Sequence, residues 1–217
     1  MHRPPKAVLL ATILLPGLLA FAGGWAVVSL EDPPEFGVAG TPLLVTFAVR
    51  QHGITPLEGL RPVVEARSGN AEVRVNATAA SGAGRYVASL VLPEPGNWDI
   101  TIRSGFGNSK LSLLPLRALS RGAAAPAPLG EGDRGRLLFV AKGCVGCHVR
   151  NELGGAEDGP GAGPDLTGKR FEREFLTRWL ADPSSMGPPR YGKGPMPNPS
   201  LSKGEITALS TYLTSAR

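Results

Sequence analysis

The chain has only two cysteines, Cys144 and Cys147, and a histidine, His148, directly follows the second. No other feature restricts the fold as much, because two thiols this close serve few ends: a small redox disulfide, half of a metal site, or attachment of a prosthetic group. A structural zinc ion needs about four ligands, and beyond these side chains the only imidazoles are His2 and His52. A thioredoxin-like dithiol has no use for the adjacent imidazole, and no βαβ pattern surrounds it. The spacing suits haem: two thiols add across two porphyrin vinyl groups, and the neighbouring imidazole reaches the iron from one face. The reading is one covalent haem c on Cys144 and Cys147, with His148 as an iron ligand.

The opposite face of the iron has few candidates. His2 precedes an apolar segment and His52 lies in a strand-rich region, which leaves Met186 and Met196. Met196 sits in Gly194-Pro195-Met196-Pro197-Asn198, a loop stiffened by proline; Met186 follows Ala181-Asp182-Pro183, where a helix ends. Either could instead fill a gap in the core, the usual fate of a methionine, so Met196, Met186 and no protein ligand all stay open on the residues alone. A thioether favours ferrous iron and closes it to small molecules, which makes an electron carrier; an open position makes a gas sensor or peroxidase. Phe171, Phe175, Leu176 and Trp179 fall at helical spacing and are expected to line the haem pocket, with Arg178, Arg190 and Lys193 as candidate partners of the propionates.

Helices are expected on both sides of this segment. Asp133 can cap a helix carrying Gly135, Leu138 and Phe139, and Ser202-Lys203-Gly204-Glu205 is a capping box opening a helix with Ile206, Leu209, Tyr212 and Leu213. The Gly135-x-x-Leu138-Phe139 stretch before CxxCH, with a terminal helix bearing Leu209 and Tyr212, resembles class I cytochrome c over Asp133 to Arg217. The resemblance implies an all-α domain whose first and last helices cross at the small residue with an aromatic beside it. It also implies that Met196 is the sixth ligand on the loop ahead of the last helix. In Gly163-Pro164-Asp165-Leu166 it implies that the Pro164 carbonyl accepts the second imidazole N–H of His148.

Upstream, Met1-His2-Arg3-Pro4-Pro5-Lys6 is basic, and an uncharged stretch follows from Ala7 to Leu30, ending at Glu31-Asp32. As a helix its 24 residues would span about 36 Å, against a hydrocarbon core of about 30 Å. Residues 1–31 are therefore expected to be a membrane anchor with the N-terminus in the cytoplasm. Cleavage after Ala20-Phe21-Ala22 is the competing reading; the apolar run that continues past Ala22 speaks for retention. Residues 37–119 alternate like short strands, for example Leu43-Val45-Phe47-Val49, Val73-Val75-Ala77, Tyr86-Ala88-Leu90, Trp98-Ile100-Ile102 and Leu111-Leu113, between Gly-, Ser- and Pro-rich turns. That spacing predicts an Ig-like antiparallel β-sandwich with Tyr86 and Trp98 in its core. The segment Gly84 to Pro93, followed by Gly96-Asn97-Trp98-Asp99-Ile100, resembles the YtkA-like extracytoplasmic sandwich domains. Residues 120–131, rich in Ala and Pro, read as an exposed linker that gives the domain at 132–217 reach. The expected chain is thus multidomain: N-terminal transmembrane helix, β-sandwich, and all-α cytochrome c domain.

Net charge is +5, thinly spread and without basic runs interleaved with aromatics, so nucleic acid is not an expected partner. No nucleophile stands beside a base, which removes hydrolases. An anchored sandwich before a cytochrome domain resembles the subunit II of haem-copper oxidases with a fused cytochrome. That likeness fails at the dinuclear copper centre, because both cysteines are spent on haem. His52 alone makes a poor copper site. The expected function is a membrane-anchored, mono-haem c-type electron carrier, not an enzyme in itself, on the extracytoplasmic, periplasmic side of a bacterial cell membrane. Its expected partners are a quinol-oxidising complex and a terminal oxidase or reductase of a respiratory chain. The alternatives are a fixed cytochrome subunit of a larger redox complex and, from another class, a haem sensor or peroxidase.

Overall fold

Period-two alternation upstream and 3.6-residue periodicity downstream build two different units. The computed structural model describes residues 24–153, 162–187 and 195–215. One sheet holds β1 (Ala26–Leu30), β3 (Pro42–Gln51), β8 (Arg85–Val91) and β7 (Thr78–Ala79) in that order, with β4 (Thr55–Pro56) on β3. The facing sheet runs β2 (Gly37–Val38), β11 (Leu116–Leu119), β9 (Gly96–Arg103), β5 (Val63–Ser68), β6 (Ala71–Asn76), with β10 (Lys110–Ser112) on β9. Neighbours are antiparallel except β2 and β11, which pair in parallel. The expected sandwich is present, and Phe47, Tyr86, Leu90, Trp98, Ile100 and Ile102 fill the space between its sheets.

The two polar aromatic tips are satisfied, as burial requires. The Tyr86 hydroxyl donates to the Leu57 carbonyl (2.8 Å) and accepts from the Leu60 amide (3.1 Å), while the Trp98 indole donates to the Glu94 carbonyl (3.0 Å). Buried Glu65 on β5 is flanked by Arg74 (3.1 Å) and Arg103 (3.0 Å).

One expectation is corrected at the start of the chain. Ala26–Leu30, assigned above to a membrane anchor over 1–31, is strand β1, in register with β3 from Ala26↔Gln51 to Leu30↔Phe47. Ala26, Val28 and Leu30 point into the sandwich core. Glu31, read as the polar stop of an anchor, binds Arg85 on β8 through both carboxylate oxygens, one at 2.6 Å, and that guanidinium lowers its pKa. No described helix is long and apolar enough to cross a membrane. The rest of the expected anchor, with Ala20-Phe21-Ala22, lies outside the described residues.

Downstream are α1 (Glu131–Ala141), α2 (Arg173–Ala181) and α3 (Lys203–Thr214). Asp133 does not cap α1: the N-cap is Gly130, and Asp133 sits in the first turn, where a negative charge faces the positive end of the helix dipole. The capping box of α3 is complete, with the Ser202 hydroxyl accepting from the Glu205 amide (3.3 Å) and the Glu205 carboxylate accepting from the Ser202 amide (2.8 Å). Helices α1 and α3 cross at Gly135, where an added Cβ would lie 2.1 Å from the Ala208 carbonyl oxygen and 2.7 Å from Tyr212 Cβ. Phe139 packs beside the crossing, its ring 5.8 Å from that of Tyr212.

Residues 121–130 are exposed and carry no regular structure, as expected of a linker. The two units it joins nevertheless touch, contrary to the expectation of free reach. Val140 and Ala141 of α1 belong to the sandwich core, and Val145 and Leu153 pack against both cores. Gly135→Ala should destabilise the helical unit by about 1–3 kcal/mol, because overpacking outweighs the gain in helix propensity of about 1 kcal/mol. Urea unfolding followed by circular dichroism measures this, and a higher midpoint would contradict the close crossing.

Candidate functional site

The CxxCH segment leaves α1 through Gly143, whose φ of +76° is left-handed backbone that glycine adopts without strain. A 3-10 turn over Cys144–Gly146 follows, closed by the amides of Cys147 (3.1 Å) and His148 (2.9 Å) on the Cys144 carbonyl. With about three residues per 3-10 turn, positions i and i+3 lie on the same side, so Cys144 and Cys147 stack along one edge. Both are free thiols. Burial pushes the Cys144 thiol up to about 12, aided by the neighbouring Cys147, and burial alone pushes Cys147 up to about 11. A redox dithiol works through a depressed pKa; these two are shifted the other way.

His148 is oriented by the segment that runs alongside it. The Gly163 amide donates to the Cys147 carbonyl (3.0 Å) and the Leu166 amide to the Val149 carbonyl (2.9 Å), which lays residues 163–166 against the imidazole. His148 Nδ1 then lies 3.0 Å from the Pro164 carbonyl oxygen. A carbonyl only accepts, so Nδ1 carries the proton and Nε2 keeps its lone pair. Burial lowers the histidine pKa, with the carbonyl contact opposing it, so the ring is held neutral. Gly163 is obligatory here: a Cβ would stand 2.5 Å from His148 Cε1 and 2.6 Å from Nδ1. Gly163 opens the Gly163-Pro164-Asp165-Leu166 stretch, and sequence alone does not reveal this contact.

Met196 is half-buried and joins the same apolar cluster as Cys144 and Phe171. The Trp179 indole N–H donates to its sulfur at 3.0 Å. Met186 ends the 3-10 turn Pro183–Met186 and is not part of that cluster. Phe171, Phe175 and Trp179 stack in a row, with ring centroids 6.5 and 5.7 Å apart and planes within 15° and 20°. Leu176 is buried with Leu180 in the helical core, the cluster against which Cys144, Phe171 and Met196 also pack. Phe175 is 42% exposed, which leaves a flat apolar wall beside the methionine. Arg178 is exposed, while Arg190 and Lys193 lie outside the described residues.

A further cluster escaped the sequence reading. The Arg150 side chain, 2% exposed, lies over the Tyr212 ring with Cζ 4.4 Å from its centroid and pairs with Glu152. The Tyr212 hydroxyl donates to Glu152 (3.0 Å), and burial together with this carboxylate pushes its pKa up to about 12. Burial raises the Glu152 pKa, but its bonds from Arg150 and Tyr212 outweigh this and hold it low. The cluster ties the exit of the CxxCH loop to α3. Only its proximity to CxxCH hinted at Arg150, since sequence spacing does not reveal a contact 62 residues away.

The residues present fit a haem. Two thiols share an edge, a neutral imidazole presents Nε2, a methionine stands by an aromatic wall, and glycine at 163 lets the backbone meet the imidazole. Among the described residues no group of three or more His, Cys, Asp or Glu side chains could hold a metal ion without it.

No curated protein matches the chain. Among solved structures, a filamin domain of Lin-41 aligns at 15% identity and TM-score 0.36, covering 46% of this chain and all of that one. Domains 1–6 of the surface layer protein SbsC align at 12% identity and TM-score 0.33, over 48% of this chain and 14% of that one. Residues 132–217 match the family model described as cytochrome c. The C-terminal part of the chain is therefore a cytochrome c domain, the electron-transfer haem module of a protein whose N-terminal part is a β-sandwich.

Proposed function

We propose that the chain is a mono-haem c-type cytochrome that passes single electrons on the extracytoplasmic side of a bacterial membrane, between a quinol-oxidising complex and a terminal oxidase or reductase of a respiratory chain. The observation that carries this reading is the CxxCH turn with His148 Nδ1 bound to the Pro164 carbonyl. In this reading Cys144 and Cys147 form the thioethers, and His148 and Met196 hold the iron. Pro164 fixes the tautomer and ring angle of His148, as a second shell does for a ligating histidine. A haem so held supplies one-electron iron chemistry, with a potential raised by the soft methionine sulfur. Trp179, through its N–H to Met196, keeps the thioether facing one way, and the aromatic row keeps water from that side.

The loose resemblance of the sandwich to YtkA-like domains supports export, as does the basic, apolar N-terminus. With β1 beginning at Ala26 and Ala26, Val28 and Leu30 committed to the sandwich core, the uncharged run left for a membrane is Ala7–Trp25, 19 residues. As a helix it would reach about 28 Å, close to the roughly 30 Å core and within the length of a spanning helix. We therefore keep the retained anchor as our reading, with an export signal cleaved after Ala22 as its alternative. The docking of the two units keeps the second reading alive: a cytochrome held against a sandwich, without free reach, suits a fixed subunit of a larger redox complex. Mild detergent extraction separates the two, since a carrier's haem runs alone and a subunit's runs with other chains.

Met196→Ala should abolish the weak near-infrared sulfur-to-iron band and lower the reduction potential strongly in a redox-titrated spectrum. An unchanged band and potential would show that Met196 is not the ligand, and ready binding of carbon monoxide by the wild-type ferrous protein would favour a sensor or peroxidase. Intact mass of the mature chain should show residues 1–22 kept, in a protein that partitions into detergent. A mature chain whose first residue is Gly23 would show a cleaved signal instead.

A further inference from the structure

The sandwich touches the cytochrome domain at the two loops that carry the candidate iron ligands. On β1, residues 26, 28 and 30 face the sandwich core, so Val27 faces outward, onto the cytochrome domain. Its methyl groups lie against both sides of the CxxCH turn: a Cβ added to Gly143 would stand 2.6 Å from Val27 Cγ1 and 2.5 Å from the Val28 carbonyl oxygen, and one at Gly146 would stand 3.8 Å from Val27 Cγ2. Cys144 lies between these two glycines. The turn after β3 reaches the other loop. A Cβ at Gly53 would lie 3.1 Å from the Pro197 ring and 3.6 Å from Val27 Cγ2, and Pro197 follows Met196 directly. Gly53 and His52 both adopt positive φ (74° and 54°), and the His52 ring meets Trp25 edge-on at 5.6 Å. Lys142 locks the arrangement: its ammonium donates to the Glu31 carbonyl at the end of β1 (2.6 Å) and pairs with Glu205 of the α3 capping box (2.7 Å), with both side chains nearly buried.

We propose that the sandwich is an intramolecular clamp on the two ligand loops: β1 braces the CxxCH turn through Val27, the β3–β4 turn braces the methionine loop at Pro197, and Lys142 pins the end of β1 to α3. The inference rests on Met196 being the iron ligand. With a haem held by His148 and Met196, the methionine would be the ligand a competing imidazole displaces, and displacing it would require the 195–200 loop to swing away from the CxxCH turn. Both loops bear on neighbouring points of a rigid two-sheet body. Their separation is therefore fixed by the sandwich as well as by the α1–α3 crossing, and the clamp slows opening of the iron. This gives the sandwich a function in the same molecule, without an external partner.

The test uses the full-length, haem-loaded ferric protein and imidazole as the competing ligand, reading the rate at which the near-infrared sulfur-to-iron band is lost. Lys142→Met and Val27→Glu should each speed that loss about tenfold, the equivalent of about 1.4 kcal/mol in the barrier, with the band present before imidazole is added. Leu44→Ser, on a sandwich residue 67% exposed and away from the contact, should match the wild type. Lys142→Met preserves the apolar stem of the side chain and the Ser202–Glu205 box, so it reports even if Val27→Glu fails to fold. Wild-type rates in Lys142→Met would overturn the clamp while leaving the ligand reading intact. A wild-type protein without the band would overturn both.

Discussion

The close crossing of α1 and α3 at Gly135 is the constraint on which the rest of the site depends. The CxxCH turn begins directly after α1, and the methionine loop ends directly before α3. Setting the two helices in backbone contact, with the Gly135 Cα against the Ala208 carbonyl, sets the starting points of both loops. No residue with a side chain allows that approach. Around it, Phe139, Leu209 and Tyr212 fill the remaining volume, and the Arg150–Glu152–Tyr212 cluster ties the far end of the CxxCH turn to α3.

Local chemistry then works on fixed positions. Partial burial of the imidazole lowers its pKa, and the Pro164 carbonyl selects which nitrogen keeps the proton. The two thiols share one edge of a 3-10 turn, a spacing that suits the two vinyl groups of one porphyrin. The row Phe171–Phe175–Trp179 gives one flat apolar side, and its last member is also a donor to the methionine sulfur. One short helix thus supplies both packing surface and polar orientation.

Much of this was legible in the sequence wherever a residue's role depends on near neighbours. CxxCH, the Ser202–Glu205 capping box and the alternation in β3, β8 and β9 all act over a few residues, and the structure shows each of them. The failures occur where an outward face is covered by something distant. β1 has only one polar residue, Ser29, on its outward face, because Val27 there meets the CxxCH turn while Val28 meets the sandwich core, so its alternation was weak and it read as membrane. β5 lost its pattern because Glu65 is buried between two arginines from neighbouring strands. The contact between units was hidden for a related reason: Gly143 and Gly146 looked like parts of a short motif, although their missing side chains also admit β1. Asp133 satisfied the rule for a cap, but the helix begins earlier, at a glycine with no side chain to signal it.

The central claim is that Cys144 and Cys147 carry a single covalent haem. The most direct measurement is the intact mass of the protein, made in cells with the export-side haem maturation machinery, followed by peptide mapping. The account predicts a gain of one porphyrin–iron unit, located on the peptide containing residues 144–148 and lost when both cysteines are replaced by alanine. A mature, exported chain with the mass of the bare polypeptide, or with two haems, would contradict it.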